Sequence, residues 1–285
     1  MRLCARVAVL AFVFAVVCVP AHAWGAKGHT LVTENAVRLL PDGPLKAYMS
    51  DHVGGLSFNC LAPDFQLKDG ISGALEGPEH YINLESVAPN MRPDDLPRNR
   101  ADEARRVTDL GLSYADAGFL PWRIEDMELA LANAFRADRR NIVLFAGLLS
   151  HYAADATQPL HTTVDYDGRP GPGGAKALKG IHAEYEITYL EEEGLEFRQS
   201  SLSLAKPAPQ VDDVFGEALA VIFESNACVE AVYRCAEAHS SGPDKYGAWD
   251  AEIGPMTRER LACGATLVAT LWLTAWKAAG SPDLG

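Results

Sequence analysis

The sequence predicts a single all-α domain that follows a short leader. Several segments repeat apolar residues at helical spacing, whereas no segment alternates apolar and polar residues as a half-buried strand would. No internal repeat or change in composition marks a domain boundary. The predicted helices cover residues 30–40, 98–117, 122–137, 140–156, 182–197, 211–238 and 257–278. Glycine- and proline-rich segments predict loops at 54–78, 88–97 and 166–180.

The N-terminus has the features of a signal peptide. Arg2 and Arg6 precede an apolar run at 7–19, and a small-x-small motif ends at Ala23. The run is about a dozen residues long, shorter than the roughly 20 residues that span a membrane. The first 23 residues are therefore predicted to be cleaved after Ala23. The mature catalytic domain then spans 24–285, and the protein is predicted to be periplasmic or secreted.

Composition excludes several classes of protein. Hydrophobic residues make up 48% of the chain and charged residues 22%, which are globular values rather than those of disordered or fibrous chains. The formal net charge is -13, with 25 Lys+Arg against 38 Asp+Glu. This balance argues against binding nucleic acid through a basic surface, but it does not exclude an enzyme that handles one phosphate at a time.

Export also gives the cysteines an oxidising context. Cys60, Cys228, Cys235 and Cys263 remain after the predicted cleavage, and they allow three disulfide connectivities. The pairing Cys228–Cys235 with Cys60–Cys263 is favoured among them. No C-x-x-C spacing is present, so the sequence does not predict that these thiols bind a metal.

Histidine–acid pairs suggest a metal site. His151 and Asp155 are four residues apart on one predicted helix, and His182 and Glu186 repeat that spacing. In so acidic a chain, one such pair is expected by chance and would by default be a surface ion pair. However, His151 lies in a strongly apolar helix, and a buried imidazole and carboxylate need partners. The residues alone therefore leave both a structural ion pair and a metal site open.

The order of these motifs resembles a known superfamily. The matching segments are Trp24-Gly-Ala-Lys-Gly-His29, Asp64, Glu79-His80-Tyr-Ile-Asn83, His151-Tyr-Ala-Ala-Asp155-Ala-Thr-Gln-Pro-Leu-His161 and Gly180-Ile-His182-Ala-Glu-Tyr-Glu186. Together they resemble the zinc cluster of the exported phospholipases C and of the single-strand-specific zinc nucleases. The resemblance implies an all-α, multi-helix catalytic domain of that type. It covers about half of the chain, residues 24–186.

The resemblance implies three zinc ions and assigns a ligand set to each. The first ligand set would be Asp64, His80, His151 and Asp155. The second would be Asp155, His29, and the α-amine and carbonyl oxygen of Trp24, an amine that exists only after signal cleavage. The third would be His161, His182 and Glu186. Asp64 would be the catalytic residue that orients or deprotonates the attacking water. Imidazole and carboxylate groups are ligands that zinc commonly takes.

The substrate is left open between phospholipid and single-stranded nucleic acid. The short spacing from Trp24 to His29 and the gap from His161 to His182 resemble the nucleases. Glu186, where the nucleases have Asp, resembles the phospholipases C. Substrate-binding residues are expected at Phe65, Lys68 and Asn83, listed in chain order.

Each of those substrate-binding assignments has its own basis in the resemblance. Phe65 matches an aromatic neighbour of the choline headgroup, although simple packing is its alternative role. The nucleases have Arg at the position of Leu67, for which Lys68 is an imperfect substitute, and Asp at the position of Asn83.

Phospholipase C activity is the preferred interpretation. A single-strand-specific endonuclease or 3'-nucleotidase is the alternative, and a non-catalytic zinc-binding helical protein is the lesser one. The closing helix, 257–278, is expected to lie in the core, with transient membrane-surface contact as its alternative role. No stable protein partner is predicted.

Overall fold

The computed structural model describes residues 24–68, 73–192 and 194–285. The predicted signal peptide therefore lies outside the described residues. The α-helices are α1 (Gly25–Leu39), α2 (Pro44–Asp51), α3 (Val53–Asn59), α4 (Gly73–Glu76), α5 (Leu84–Val87), α6 (Arg100–Asp109), α7 (Tyr114–Ala117), α8 (Leu120–Ala137), α9 (Ile142–Asp155), α10 (Ile181–Ala183), α11 (Leu190–Glu192), α12 (Gly194–Leu204), α13 (Val214–Asn226), α14 (Val229–Ala238) and α15 (Lys245–Ala278). About 72% of the protein is helical, which confirms the predicted all-α class.

Short irregular helices and one small ladder connect these helices. Two π-helical turns, Pro63–Leu67 and Glu184–Tyr189, and two 3₁₀ turns, Gly77–His80 and Pro159–Thr162, carry predicted site residues. The strands β1 (Arg169–Pro170) and β2 (Lys176–Ala177) pair antiparallel inside the predicted loop 166–180. The predicted loop 54–78 is instead largely helical, because it contains most of α3, one π-turn and α4.

Local chemistry divides two of the predicted helices. The segment 98–117 forms α6 and α7, which are separated where Gly111 adopts a φ of 73°. Ser113 then starts α7 with a capping box: its side chain accepts the Asp116 N–H, and the Asp116 carboxylate accepts the Ser113 N–H. The segment 211–238 likewise forms α13 and α14.

The closing helix α15 forms the centre of the core. It packs against α1, α8, α9 and α12, and the Trp272 indole N–H donates to the Ala146 carbonyl on α9 at 3.0 Å. By length and composition α15 could cross a membrane, but 72% of its most apolar window is buried inside the fold. The structure therefore favours the core role expected for this helix.

The predicted disulfides are wrong. Cys60, Cys228, Cys235 and Cys263 all have free thiols. Cys228 caps α14 and Cys235 lies seven positions further along it. That spacing corresponds to about 10 Å along a helix axis, beyond the roughly 7 Å between Cα atoms that a disulfide can bridge. The Cys60 thiol is buried and donates to the Ser57 carbonyl at 3.1 Å, so it forms no bond with Cys263.

A buried acid on α8 predicts a pH-dependent stability. Glu128 is 5% exposed, and burial raises the pKa of its carboxyl to about 7, although Arg136 opposes the shift. The unfolded chain loses this proton near the ordinary value of 4.5, so folding becomes less favourable as pH rises towards 7. Glu128→Gln cannot ionise and so does not lose stability in this way. The difference in free energy of unfolding, Glu128→Gln minus wild type, should therefore be roughly 2 kcal/mol larger at pH 8 than at pH 5.

Urea unfolding at both pH values measures this difference. The exposed Glu237→Gln serves as the control, since its carboxyl lies on the solvent side of α14. If the free energies of unfolding of Glu128→Gln and wild type differed by the same amount at both pH values, the raised pKa of Glu128 would be contradicted.

Candidate metal centre

The predicted side-chain ligands come from separate elements and converge in the interior. His29 is on α1, Asp64 on a π-turn, His80 on a 3₁₀ turn, and His151 and Asp155 on α9. His161 lies on a 3₁₀ turn, His182 on α10 and Glu186 on a π-turn. All are buried, with exposed fractions between 0% for Asp155 and 7% for His182.

The first ligand set is compact enough for a zinc ion. His80 Nδ1 lies 3.1 Å from Asp155 Oδ2 and 3.0 Å from His151 Nε2, and the latter two atoms are 3.4 Å apart. Asp64 Oδ1 is 3.7 Å from His80 Nδ1 and 4.0 Å from His151 Nε2. Ligand atoms on a tetrahedral zinc ion with bonds of about 2.0–2.1 Å are about 3.3 Å apart. The distances between the ligand atoms of this set therefore lie on both sides of the distance expected around a tetrahedral zinc ion.

The third ligand set has the same spacing. His182 Nε2 lies 3.0 Å from both His161 Nε2 and Glu186 Oε2, and the last two atoms are 3.7 Å apart. The i,i+4 relation between His182 and Glu186 persists although Glu186 falls in a π-turn. Three donors on one side leave room for a further ligand, as catalytic zinc sites require.

Asp155 connects the predicted first and second sets. Its Oδ2 faces His80 and His151, while its Oδ1 lies 3.4 Å from His29 Nε2. The His29 ring stacks on the His151 ring with centroids 4.0 Å apart. The ligand atoms of His29, Asp64 and His151 lie within 4.8 Å of one another. Asp155 is thus placed to offer one oxygen to each of two neighbouring sites.

Backbone carbonyls fix which histidine nitrogen faces these sets. His151 Nδ1 donates to the Cys60 carbonyl at 2.7 Å, and His161 Nδ1 donates to the His80 carbonyl at 2.6 Å. In each ring the Nε2 lone pair is then directed to the ligand set. Gly147 permits the first contact, because a Cβ there would lie 2.4 Å from the Asn59 side chain and would push α3 away from α9.

The electrostatics of the interior suit a bound cation. Burial lowers the pKa values of His80, His151 and His161, which keeps their imidazoles neutral, the form that ligates metals. Burial and the nearby Asp64 raise the pKa of Asp155 well above its ordinary range.

Several polar atoms of these residues also lack hydrogen bonds. Among the described residues, three such buried atoms have no hydrogen-bond partner: Asp155 Oδ1, His182 Nδ1 and Glu186 Oε1. Two of the three are carboxylate oxygens on predicted ligands. Unsatisfied oxygens of this kind fit a group that adds positive charge, as zinc would.

A cleft opens directly on the first and third sets. It encloses about 630 Å³, and His80, His161 and His182 line one wall. Lys68 and Asn83, two of the predicted substrate-binding residues, also line it, whereas the half-exposed Phe65 is not among its lining residues.

Two tyrosines of the cleft were not predicted from the sequence. Tyr81 follows His80 directly, and the ring of Tyr166 lies edge-on to the His182 ring at 5.7 Å. Tyr166 opens the Gly- and Pro-rich segment that leads to His182, which is the signal that could have identified it.

Comparisons with known proteins agree with this geometry at the level of the fold. No protein family model matches the sequence. The alpha toxin from Clostridium absonum superposes with a TM-score of 0.53 at 12% sequence identity, covering 90% of this chain and 65% of the toxin. The chain has the all-α phospholipase C fold. An alpha-toxin from an avian strain of Clostridium perfringens gives a TM-score of 0.48 at 11% identity, covering 90% of this chain and 65% of that one.

One curated relative has a different description. The chain is 22% identical over 89% of its length to a probable serine protease from Bradyrhizobium tropiciagri, and it spans 43% of that protein. The chain thus covers about two fifths of this relative and slightly less than two thirds of the alpha toxins. The protease description belongs to that relative.

Trp24 is held by its side chain at the start of the fold. It is fully buried, its indole N–H donates to Thr157 Oγ1 at 3.1 Å, and its carbonyl accepts the Gly28 N–H at 2.9 Å. Thr157 lies two residues after Asp155, so this contact anchors the predicted mature terminus to the segment that carries a predicted ligand. The ligand role of the Trp24 backbone stays a prediction.

That role can be tested through the N-terminus. A protein that begins at Trp24 offers a free α-amine, whereas one that retains Ala23 offers an amide, which is a far poorer zinc ligand. Retaining Ala23 should weaken binding of the second zinc ion by roughly 100-fold or more. Zinc titration of both proteins, with electrospray mass spectra to verify the termini, measures the difference. Equal zinc binding by the two proteins would contradict the role of the amine.

Proposed function

We propose that this protein is an exported zinc-dependent phosphodiesterase that cleaves phospholipids as a phospholipase C does, with three zinc ions bound. The proposal rests on one observation: two compact sets of buried histidine and carboxylate atoms lie beside a single open cleft. The shared all-α fold and the order of the ligand motifs support it.

The three predicted ions would outweigh the carboxylates around them. Their summed charge of +6 exceeds the -3 of Asp64, Asp155 and Glu186, so the cleft would attract an anion although the chain as a whole is acidic. When bound, zinc lowers the pKa of water and polarises phosphoryl oxygens. A phosphate diester is a substrate that suits this local field.

Asp64 and Lys68 are placed to perform the protein's part of the reaction. Asp64 is 2% exposed, at the edge of the first ligand set, and its Oδ1 lies 3.4 Å from Lys68 Nζ. Asp64 orients the attacking water and accepts its proton. Lys68 lines the cleft and offers a positive charge to a phosphoryl oxygen. Attack forms a P–O bond from the water and breaks the P–O bond to diacylglycerol, whose oxygen leaves as a hydroxyl after taking a proton from solvent.

Cleft chemistry supports phospholipid over nucleic acid as substrate. Asn83 stands where the nucleases have an acid for base recognition, and its amide already donates to the Asp116 carbonyl at 3.0 Å. Leu67 stands where the nucleases have an arginine that could hold a phosphate through two parallel hydrogen bonds, and the neighbouring Lys68 offers a single ammonium. The last ligand, Glu186, is a glutamate as in the phospholipases C, whereas the nucleases have an aspartate at this position.

Parallel assays on three substrates test the proposed function. Mature protein beginning at Trp24 is assayed on phosphatidylcholine vesicles, single-stranded RNA and casein, each with and without EDTA. The proposal predicts diacylglycerol release that EDTA abolishes. Nucleotide release from RNA without diacylglycerol would establish the nuclease alternative. EDTA-resistant casein hydrolysis would favour the activity described for the bacterial relative. A zinc-loaded protein inactive on all three substrates would contradict the proposed phosphodiesterase.

A matched pair of variants separates catalysis from folding. Asp64→Asn should reduce diacylglycerol release by at least 10²-fold because the amide cannot accept the proton from water. Asp51→Asn makes the same chemical change at an exposed position at the end of α2 and should leave the rate unchanged.

A further inference from the structure

Gln158 links two of the elements that carry the third ligand set. It is fully buried, three residues after Asp155 and three before His161. Its Nε2 donates to Glu186 Oε2 at 3.0 Å, while its Oε1 accepts the Leu160 backbone N–H at 2.5 Å. One side chain thus caps the 3₁₀ turn that bears His161 and holds the carboxylate of the π-turn that bears Glu186.

The two contacts allow one orientation of the amide. If the amide were flipped, its NH₂ group would face the Leu160 N–H and its oxygen would face the Glu186 carboxylate. Both of those contacts are repulsive, and both would be buried. The orientation of Gln158 is therefore determined by its neighbours, and Gln158 in turn determines where Glu186 Oε2 lies.

The donated hydrogen bond acts on the atom that the histidines share. Oε2 of Glu186 is also the oxygen nearest to His182 Nε2, at 3.0 Å, and to His161 Nε2, at 3.7 Å. The other oxygen, Oε1, is buried without a hydrogen bond. Gln158 thus fixes one carboxylate oxygen within the ligand set and leaves the other uncommitted.

We infer that Gln158 is the positioning residue of the third metal site, holding Glu186 in place before an ion arrives. The inference rests on the proposed zinc centre and deepens it. Hydrogen bonds that orient metal ligands typically contribute 10- to 100-fold to metal affinity. The loss of this one should therefore weaken one of the three sites and leave the other two intact.

Gln158→Glu separates this role from simple helix capping. The new carboxylate still accepts the Leu160 N–H, so the cap is kept. It has no N–H to donate to Glu186, however, and it places a second negative charge against that residue. Gln158→Met has a similar shape and loses both contacts. The exposed Gln199→Glu on α12 makes the same charge change away from the site.

Metal binding, rather than turnover, is the measurement. Apo protein is titrated with zinc against a chelator and with Co²⁺ for its visible absorption, and His161→Ala serves as the reference that lacks the third site. Gln158→Glu and Gln158→Met should each bind one ion 10- to 100-fold more weakly, with a Co²⁺ spectrum like that of His161→Ala. Melting of the apo proteins reports how far each variant is destabilised, separately from its zinc affinity.

Opposite results would overturn the inference. Three ions bound by Gln158→Glu within twofold of wild-type affinity would reduce Gln158 to a helix cap, and tighter binding would contradict its positioning role equally. Wild-type protein that binds three ions but hydrolyses no phosphodiester would end the proposed function and leave this inference standing. Wild-type protein that binds no zinc would end both.

Discussion

Replacing His151 by alanine should remove the first zinc ion and reduce phosphodiester hydrolysis by well over 100-fold. His151 contributes a buried Nε2 that lies within 3.4 Å of ligand atoms from both His80 and Asp155, and its ring supports His29 by stacking. Loss of a direct ligand exceeds the 10- to 100-fold effect of losing an orienting partner. Zinc content by mass spectrometry and diacylglycerol release measure the two effects.

A histidine outside the centre provides the matched control. His52 is exposed and hydrogen-bonds the Tyr48 carbonyl through Nδ1, so His52→Ala removes an imidazole without touching a predicted ligand. His52→Ala should retain zinc and activity. If His151→Ala also retained both, the metal centre would be wrong.

Removal of zinc should lower the thermal stability by several degrees. The centre buries five imidazoles and three carboxylates, and these groups have little other than one another to compensate for their lost hydration. A single site at zinc concentrations 100-fold above its dissociation constant stabilises the fold by about 2.7 kcal/mol. For a domain of this size that corresponds to a shift of about 5–10 °C. Calorimetry with zinc and with EDTA measures it.

The control for this melting experiment is a variant that lacks one of the three zinc sites and keeps the fold. His161→Ala should show a smaller EDTA-dependent shift than wild type, because it lacks one site to begin with. A wild-type melting temperature that EDTA leaves unchanged would mean that no zinc binds with useful affinity.

The ligands on α9 could be predicted because helical geometry makes their spacing meaningful. His151 and Asp155 repeat at i,i+4 within an apolar helix, and the structure buries both side chains completely. The all-α class follows from the same periodicity. These features depend on local pattern and burial, which a single sequence records directly.

Asp64 and His80 show where local pattern is insufficient. Asp64 lies on a π-turn inside the segment predicted as loop, and His80 lies on a 3₁₀ turn just after that segment. Only the resemblance identified them as ligands. Their positions depend on long-range contacts, such as the close approach of α3 to α9 at Gly147. The tyrosines that line the cleft were missed for the same reason, because no local periodicity marks a cleft wall.

The disulfide prediction for the cysteines failed because it ignored the helix that the same sequence predicts. An exported context favoured a disulfide between Cys228 and Cys235, but Cys228 is the N-cap of the helix that contains Cys235, and their spacing separates them by about two turns. The sequence predicted a single helix over 211–238, which was already incompatible with that pairing. Secondary structure should therefore have been used as a constraint on the disulfides.

Zinc-edge anomalous diffraction from crystals of the mature protein tests the central claim most directly. The account predicts three anomalous peaks: one among Asp64, His80, His151 and Asp155, one between Asp155, His29 and the Trp24 amine, and one among His161, His182 and Glu186. Peaks confined to the surface, or their absence from crystals grown with zinc, would contradict it.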